Sequence, residues 1–483
     1  MKNFIKVSYI IRLKGCIKSL LLFPLLMFTT SCEKLIEVDT PPAYLLKSQV
    51  FTDDATAQAA VRGIYSPFLN PYYCTGFQTA WRTGLSADEL TFNYTEPSIS
   101  AFQENNLVAD NSYVSQYWTY AYTTIYRAND VIENIAASSG LSETAKAQYR
   151  GEALFLRSFL HFYLVNFFGD VPFVTTTDYL VNAKIPRTPV DEVYQQLETD
   201  LEEAVSLLPA AYPTSGRYRA NKAVASALLA RVYLYHGKWA EAENTATTVL
   251  GNTTDYALVA LSGITLSGNK EAIWQIPNSD NEYYTDEGEH FYDSYSNLST
   301  ALGYMSLSDD FVGTSTLPGA FENGDARKTA WVILNRKAFM EPYKYRARSD
   351  ADITIPDDSR NENTTVLRLA EQYLIRAEAR AQQNKLALAI ADVDVIRARA
   401  GLPLIANTNP GISKTALLDA IMQERRVEFF TEWGHRWFDL KRTGKAVEVL
   451  SAIKPGFTSD DLLYPIPESE LNKNPFLEQN PGY

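Results

Sequence analysis

The chain has 483 residues, 46% of them hydrophobic, which suffices for a large core and for two or three domains by length alone. Its 57 acidic and 44 basic residues leave a net charge of −13. So acidic a surface repels nucleic acid and anionic lipid, and neither is expected as a partner.

The chain opens on a leader. Lys2, Lys6, Arg12, Lys14 and Lys18 precede the apolar stretch Leu20 to Phe28, and no acidic residue occurs before Glu33. That stretch is well short of the ~20 residues of a spanning helix, and Pro24 interrupts it. It closes on Thr29-Thr30-Ser31-Cys32, and small residues before a lone cysteine resemble the lipobox of bacterial lipoproteins. This implies cleavage and acylation of Cys32, and several acyl chains would anchor the protein stably. The alternative is an ordinary signal peptide with an incidental Cys32. If Cys16 leaves with the leader and Cys32 carries lipid, Cys74 has no partner in the chain. Packing, not disulfides, must then hold the fold.

Helical periodicity follows in separated blocks. A first helix is predicted from about Asp53 to Phe68, and another from Glu143 to Phe168, closed by Gly169. The latter is apolar nearly all round from Phe155 to Val165, so it reads as a buried central helix with His161 as a core histidine. Thr188-Pro189 reads as a cap followed by the first helical position, with Asp191 and Glu192 in the first turn. Val193, Leu197, Leu201, Ala204 and Leu208 form its stripe, and Pro209 stops it.

The segment Ala227 to Ala242 resembles a tetratricopeptide repeat. Gly237 stands at the turn, with Leu229, Ala230, Tyr233, Trp239 and Ala242 on signature positions. A weaker copy runs through Leu374 to Arg380, with Asn384 at the turn and Ala389 beyond. One helix pair cannot bury its own apolar face, so at least about three must stack; residues 143–208 and 414–446 are expected to supply the others.

Two zones lack this pattern: Pro71 to Ser112, and Leu250 to Val366, which is too long for a plain loop. They read as irregular, ligand-bearing parts on a rigid frame. Their aromatics support this, the second holding Tyr283, Tyr284, Phe291, Tyr292, Tyr295 and Tyr304. The first holds Trp81, Phe92 and Tyr94 around Arg82, Asp88 and Glu89. Flat rings stack on the C–H face of a sugar while short polar groups take its hydroxyls, so these residues suit a glycan platform. The alternative is that the rings fill the insertion's own core.

Catalytic readings are weaker. Glu432/His435 and Glu287/His290 have the Glu-x-x-His form, but the second lies in a loop-like stretch, unsuited to a di-iron site. Asp88 with Glu89, or Glu287 with Glu289, could serve a glycosidase, although adjacency does not set the required separation. No Walker loop, nucleophile elbow or dinucleotide fingerprint occurs. The acidic run Asp280, Glu282, Asp286, Glu287, Glu289, Asp293 offers hard oxygens for calcium without EF-hand spacing. A solvated acidic loop accounts for it better, and no cofactor is expected.

Taken in order, several segments resemble the SusD/RagB family of surface glycan-binding lipoproteins: Ser31-Cys32-Glu33-Lys34-Leu35, Arg150 to Arg157, Phe168-Gly169-Asp170-Val171-Pro172 and Glu424 to Phe429. Gly434 to Arg442, Leu463 to Pro467 and Asn480-Pro481-Gly482-Tyr483 complete the set. The resemblance implies a mainly α fold: a tetratricopeptide-like scaffold of about four helix pairs with a loop-rich inserted subdomain. It divides the chain into a signal peptide (1–31), a lipidated linker (32–50), an N-terminal helical part (51–250), the insertion (251–365) and a C-terminal helical part (366–483). It also implies a non-enzyme on the outer membrane, facing the exterior, that passes glycans to a SusC-like TonB-dependent transporter. Surface glycoside hydrolysis, or a non-sugar cargo such as peptides, are the alternatives. Arg425, Arg426, Glu428, Arg436 and Asp439 are expected to form a structural ion network between the last helices. Trp81, Arg82, Asp88, Tyr94, Tyr284, Tyr292 and Tyr295 are the expected ligand-binding residues.

Overall fold

A computed structural model describes residues 50–483 apart from 71–72, 74, 279–284, 292–304, 313–318, 335–338 and 348–360. The leader, Cys32 and Cys74 lie outside the described residues.

Helix α1 (Asp54–Tyr65) starts where the Asp53 carboxylate accepts the backbone N–H groups of Ala55 and Thr56, both at 2.9 Å. Its buried stripe Ala57, Val61, Ile64 rests on α4 (Ser112–Ala137) and α5 (Glu143–Phe168). Helix α5 has the predicted bounds. Ser142 caps it, and Gly169 ends it at φ +72°, where a Cβ would meet Leu463 at 2.9 Å. His161 sits in its buried stretch as a satisfied core group, with Nδ1 bonded to the Arg157 carbonyl and Nε2 accepting from Val174 N. Burial, with Arg157 beside it, pulls its pKa down to about 3 and keeps the ring neutral.

Helix α6 (Val190–Leu207) begins one residue later than predicted. Thr188 is held instead in a β-bridge with Val171, and the Asp170 carboxylate takes over at the helix start by accepting Val190 N at 2.9 Å. The repeat follows as α7 (Lys222–Tyr235) and α8 (Trp239–Leu250), turned by Gly237 at φ +74°. The second copy is α9 (Leu369–Gln382) and α10 (Leu386–Arg399), where Asn384 adopts φ 61°. Helices α11 (Lys414–Glu428) and α12 (His435–Arg442) close the series.

From α4 to α10 each helix packs on the next, so the scaffold is a continuous stack. Helix α9 packs on α8 although residues 251–368 intervene. Strand β2 (Ala272–Ile276) pairs antiparallel with β6 (Thr364–Arg368), which brings the ends of that insertion together. Trp274 of β2 is fully buried and meets Phe155 and Phe159 of α5 edge to face, both at 5.0 Å between ring centres.

The zone 71–112 differs from the expectation. It contains α2 (Gly76–Ser86), buried at every residue, and α3 (Pro97–Glu104). Phe77, Ala80, Trp81 and Leu85 fall at i, i+3, i+4 and i+8, a helical stripe only two turns long, and the polar residues between them are buried by bonding internally: Thr83 Oγ1 donates to Thr79 O at 2.8 Å. Past α2, β1 (Leu90–Phe92) pairs antiparallel with β3 (Met305–Leu307) of the insertion, Phe92 opposite Met305. The two irregular zones are thereby hydrogen-bonded into one region. A further hairpin joins β4 (Val332–Leu334) to β5 (Met340–Pro342).

Of the network expected among the last helices, the structure forms the Arg425–Asp439 pair and gives the other members different partners. Asp439 accepts from Arg425 and Arg442 at 2.7 and 2.8 Å, while buried Glu428 meets Arg368, Arg399 and Arg327. Arg426 and Arg436 do not pair within those helices; both reach back to Asp88, at 2.9 and 2.8 Å.

Candidate functional site

A cavity of about 470 Å³ opens where the two irregular zones join. Phe77 and Trp81 come from α2, Phe92 from β1, Tyr113 and Gln116 from the start of α4, and His290 with Met305 from the insertion. Trp81 is only 3% exposed because Phe102 and Tyr113 meet its ring edge to face at 5.1 and 5.3 Å. Its Nε1 donates to Gln78 Oε1 at 3.1 Å. The Arg82 guanidinium lies 4.4 Å from the Trp81 ring centre and donates to the same Gln78 oxygen at 2.6 Å. Gln78 and Arg82 thus fix the tilt of the indole before any ligand arrives.

One turn before Trp81 on the same face of α2, Phe77 is stacked on His290 at 4.6 Å and set edge-on against Phe291 at 5.1 Å. Burial, then the Glu96 carboxylate, raises the Tyr113 pKa, so its hydroxyl stays protonated and can donate. A lining of aromatic rings together with hydroxyl, amide and imidazole groups can hold a flat, polyhydroxylated ligand.

The predicted site residues separate on this map. Trp81 lines the cavity, and Arg82 lies beneath it, 1% exposed and engaged by neighbours. Tyr94 is 42% exposed, its ring 6.3 Å from that of Phe92. Tyr284, Tyr292 and Tyr295 lie outside the described residues.

Asp88 is elsewhere: it borders a separate hollow of about 340 Å³ with Thr91 and Lys454, its oxygens taken by Arg426 and Arg436. Against the cost of burial, those two guanidiniums hold its carboxyl well below the usual range. Its neighbour Glu89 behaves oppositely. Burial, then the adjacent Asp88 charge, pushes it up to about 8. Phe77, Gln78, Tyr113, Gln116, His290 and Met305 were not anticipated as lining groups. The i, i+3 pair Tyr113 and Gln116, after the Asn111 cap, was the available signal.

Within the acidic run, Asp286, Glu289 and His290 place ligand atoms within 4.8 Å of one another. Two carboxylates with an imidazole suit a borderline divalent metal better than calcium, which prefers an all-oxygen shell. Glu287 turns away to accept the Thr364 hydroxyl at 2.8 Å, and burial, then Asp286, lifts it to about 7. Asp280, Glu282 and Asp293 are outside the described residues. In the other Glu-x-x-His pair, Glu432 is bound by Lys344 and Arg368 at 2.6 and 2.8 Å, and His435 is buried.

Frame and cavity together define a helical-repeat protein whose ring-lined hollow is built on its irregular segments. Residues 71–234 match a family model described as starch-binding associating with outer membrane, and residues 335–483 match the SusD family model. The chain belongs to the SusD/RagB family. A SusD-like protein of Formosa agariphila is 28% identical over 505 residues, covering 94% of this chain and 96% of its own. One from Bacteroides ovatus is 24% identical, covering 83% and 77%. Among solved structures, a SusD superfamily protein from Bacteroides vulgatus aligns with a TM-score of 0.74 at 21% identity, over 90% of this chain and all (100%) of its own. A laminarin-binding SusD-like protein aligns with a TM-score of 0.70 at 25% identity, over 90% and 100%. Among the described residues no helix is long and apolar enough to cross a membrane.

Proposed function

We propose that this is a non-enzymatic, cell-surface glycan-binding lipoprotein. It is tethered to the outer membrane through acylated Cys32, captures oligosaccharides or polysaccharides, and delivers them to a SusC-like TonB-dependent transporter. The observation that carries the binding role is the cavity at the β1–β3 junction, lined by a braced indole, the Phe77–His290 pair and polar donors. A sugar ring stacks on the aromatic faces while Gln116, Tyr113 and Ser112 take its hydroxyls. Tyr94 extends the platform toward a longer chain, Tyr284, Tyr292 and Tyr295 are proposed ligand contacts on sequence grounds alone, and Asp88 holds the base of β1 in register through its two arginines. The family description and the laminarin-binding relative support sugar as the cargo. The linker from Cys32 and weak single-sugar contacts make local concentration the source of avidity.

Calorimetric titration with a panel that includes laminarin oligosaccharides tests this. Gln116→Ala should weaken binding about tenfold with unchanged unfolding, since Gln116 packs no core. Trp81→Phe should weaken it further while keeping the ring packing. Saturable binding that neither variant alters removes the cavity from the site, and release of new reducing ends would establish a hydrolase instead.

A further inference from the structure

We propose that a second cavity, sharing no lining residue with the first, is a binding site for a small amphipathic carboxylate. It has a volume of about 520 Å³ and lies between the end of α1, the 214–219 loop and β2. Its apolar walls are Phe68, Trp274 and Ile276, with Leu69, 47% exposed, at the rim. Two arginines and no carboxylate belong to its lining.

The polar groups there are incompletely matched. Arg219 is 4% exposed and gives Nε and Nη2 to Glu152, at 2.8 and 2.6 Å, but its buried Nη1 has no hydrogen-bond partner. Thr214 Oγ1 is buried and equally unmatched. A buried donor without an acceptor is costly, so two such groups in one cavity wall favour a ligand that brings an acceptor. Charge points the same way. Glu152 balances Arg219, which leaves the exposed Arg62 as a cation with no ion pair among the described residues. On a chain of net charge −13, a cation beside an apolar hollow selects an anion with an apolar body.

A sugar fits this place poorly, because its many hydroxyls need more partners than these walls provide. A phenyl or short alkyl acid fits well: its body rests on the apolar rim of Leu69, Ile276 and Pro277, and its carboxylate accepts from Arg62 at the mouth and from Arg219 and Thr214 below.

The experiment is a ligand-observed NMR titration of the mature chain with phenylpropionate and, as the neutral match, phenylpropanol. The acid should bind about tenfold more tightly than the alcohol, and Arg62→Glu should remove that preference. Thr214→Val should weaken the acid a few-fold and leave the alcohol unaffected, and glycan affinity should be the same in both variants. Equal binding of acid and alcohol, an unchanged preference in Arg62→Glu, or no saturable binding at millimolar acid overturns the proposal. None of these outcomes bears on the glycan cavity, which is read separately with oligosaccharides.

Discussion

The helical stack and the junction of the two irregular zones both carry buried ion pairs, Arg231–Glu371 and Arg157–Asp200 among those of the stack, but differ in the apolar burial beside them. In the stack, each helix buries one apolar face on the next, and special backbone positions are confined to turns such as Gly237 and Asn384. At the junction, three-residue strands cannot supply much, and the structure relies on the buried charge of Asp88 with Arg426 and Arg436; where β6 closes on β2, Arg368 likewise meets Glu271, Glu428 and Glu432. Apolar burial tolerates small changes of shape, whereas a buried ion pair fails when one partner is removed. The site region should therefore be the more brittle of the two.

Arg368→Met sharpens that contrast most. It removes the one cation shared by three buried carboxylates, leaving Glu271 and Glu428 to Arg399 and Glu432 to Lys344, and should cost about 3–5 kcal/mol in urea unfolding. Asp88→Asn leaves Arg426 and Arg436 under-compensated and should cost about 3 kcal/mol, with glycan affinity falling as β1 loosens. A loss as small as that of a surface pair would break the comparison.

Glu89 gives the pH test. Its folded pKa lies near 8, above that of an unfolded glutamate, so the folded state binds the extra proton and stability declines as pH rises from about 5 to 8. Glu89→Gln should be neutral at pH 5 and stabilising by on the order of 2 kcal/mol at pH 8, measured by thermal unfolding across that range. In the stack the effects are smaller. Gly237→Ala should cost about 1 kcal/mol, because φ +74° strains any residue with a Cβ.

The same division governs what could be read from the chain. Helix α5 was legible because Ser142 and Gly169 mark its ends chemically and its middle is continuously apolar. Helix α2 was less so, although Phe77, Ala80, Trp81 and Leu85 have helical spacing, because the stripe is only two turns long and its Gly, Thr and Ser residues imitate a loop. Trp81 stood out by residue type alone. Asp88 looked like an exposed sugar contact beside Glu89, but its partners lie 338 and 348 positions away, and pairing over that distance leaves no local trace. Phe77 and His290 meet only through tertiary folding, which periodicity does not encode.

The antiparallel pairing of β2 with β6 brings the two ends of a long excursion side by side at the edge of the scaffold. Closing a loop whose ends are already adjacent costs little more as it lengthens. The excursion can thus grow, shrink or be exchanged for another while the repeats beneath keep their alignment. One chassis can in this way be refitted for many cargoes.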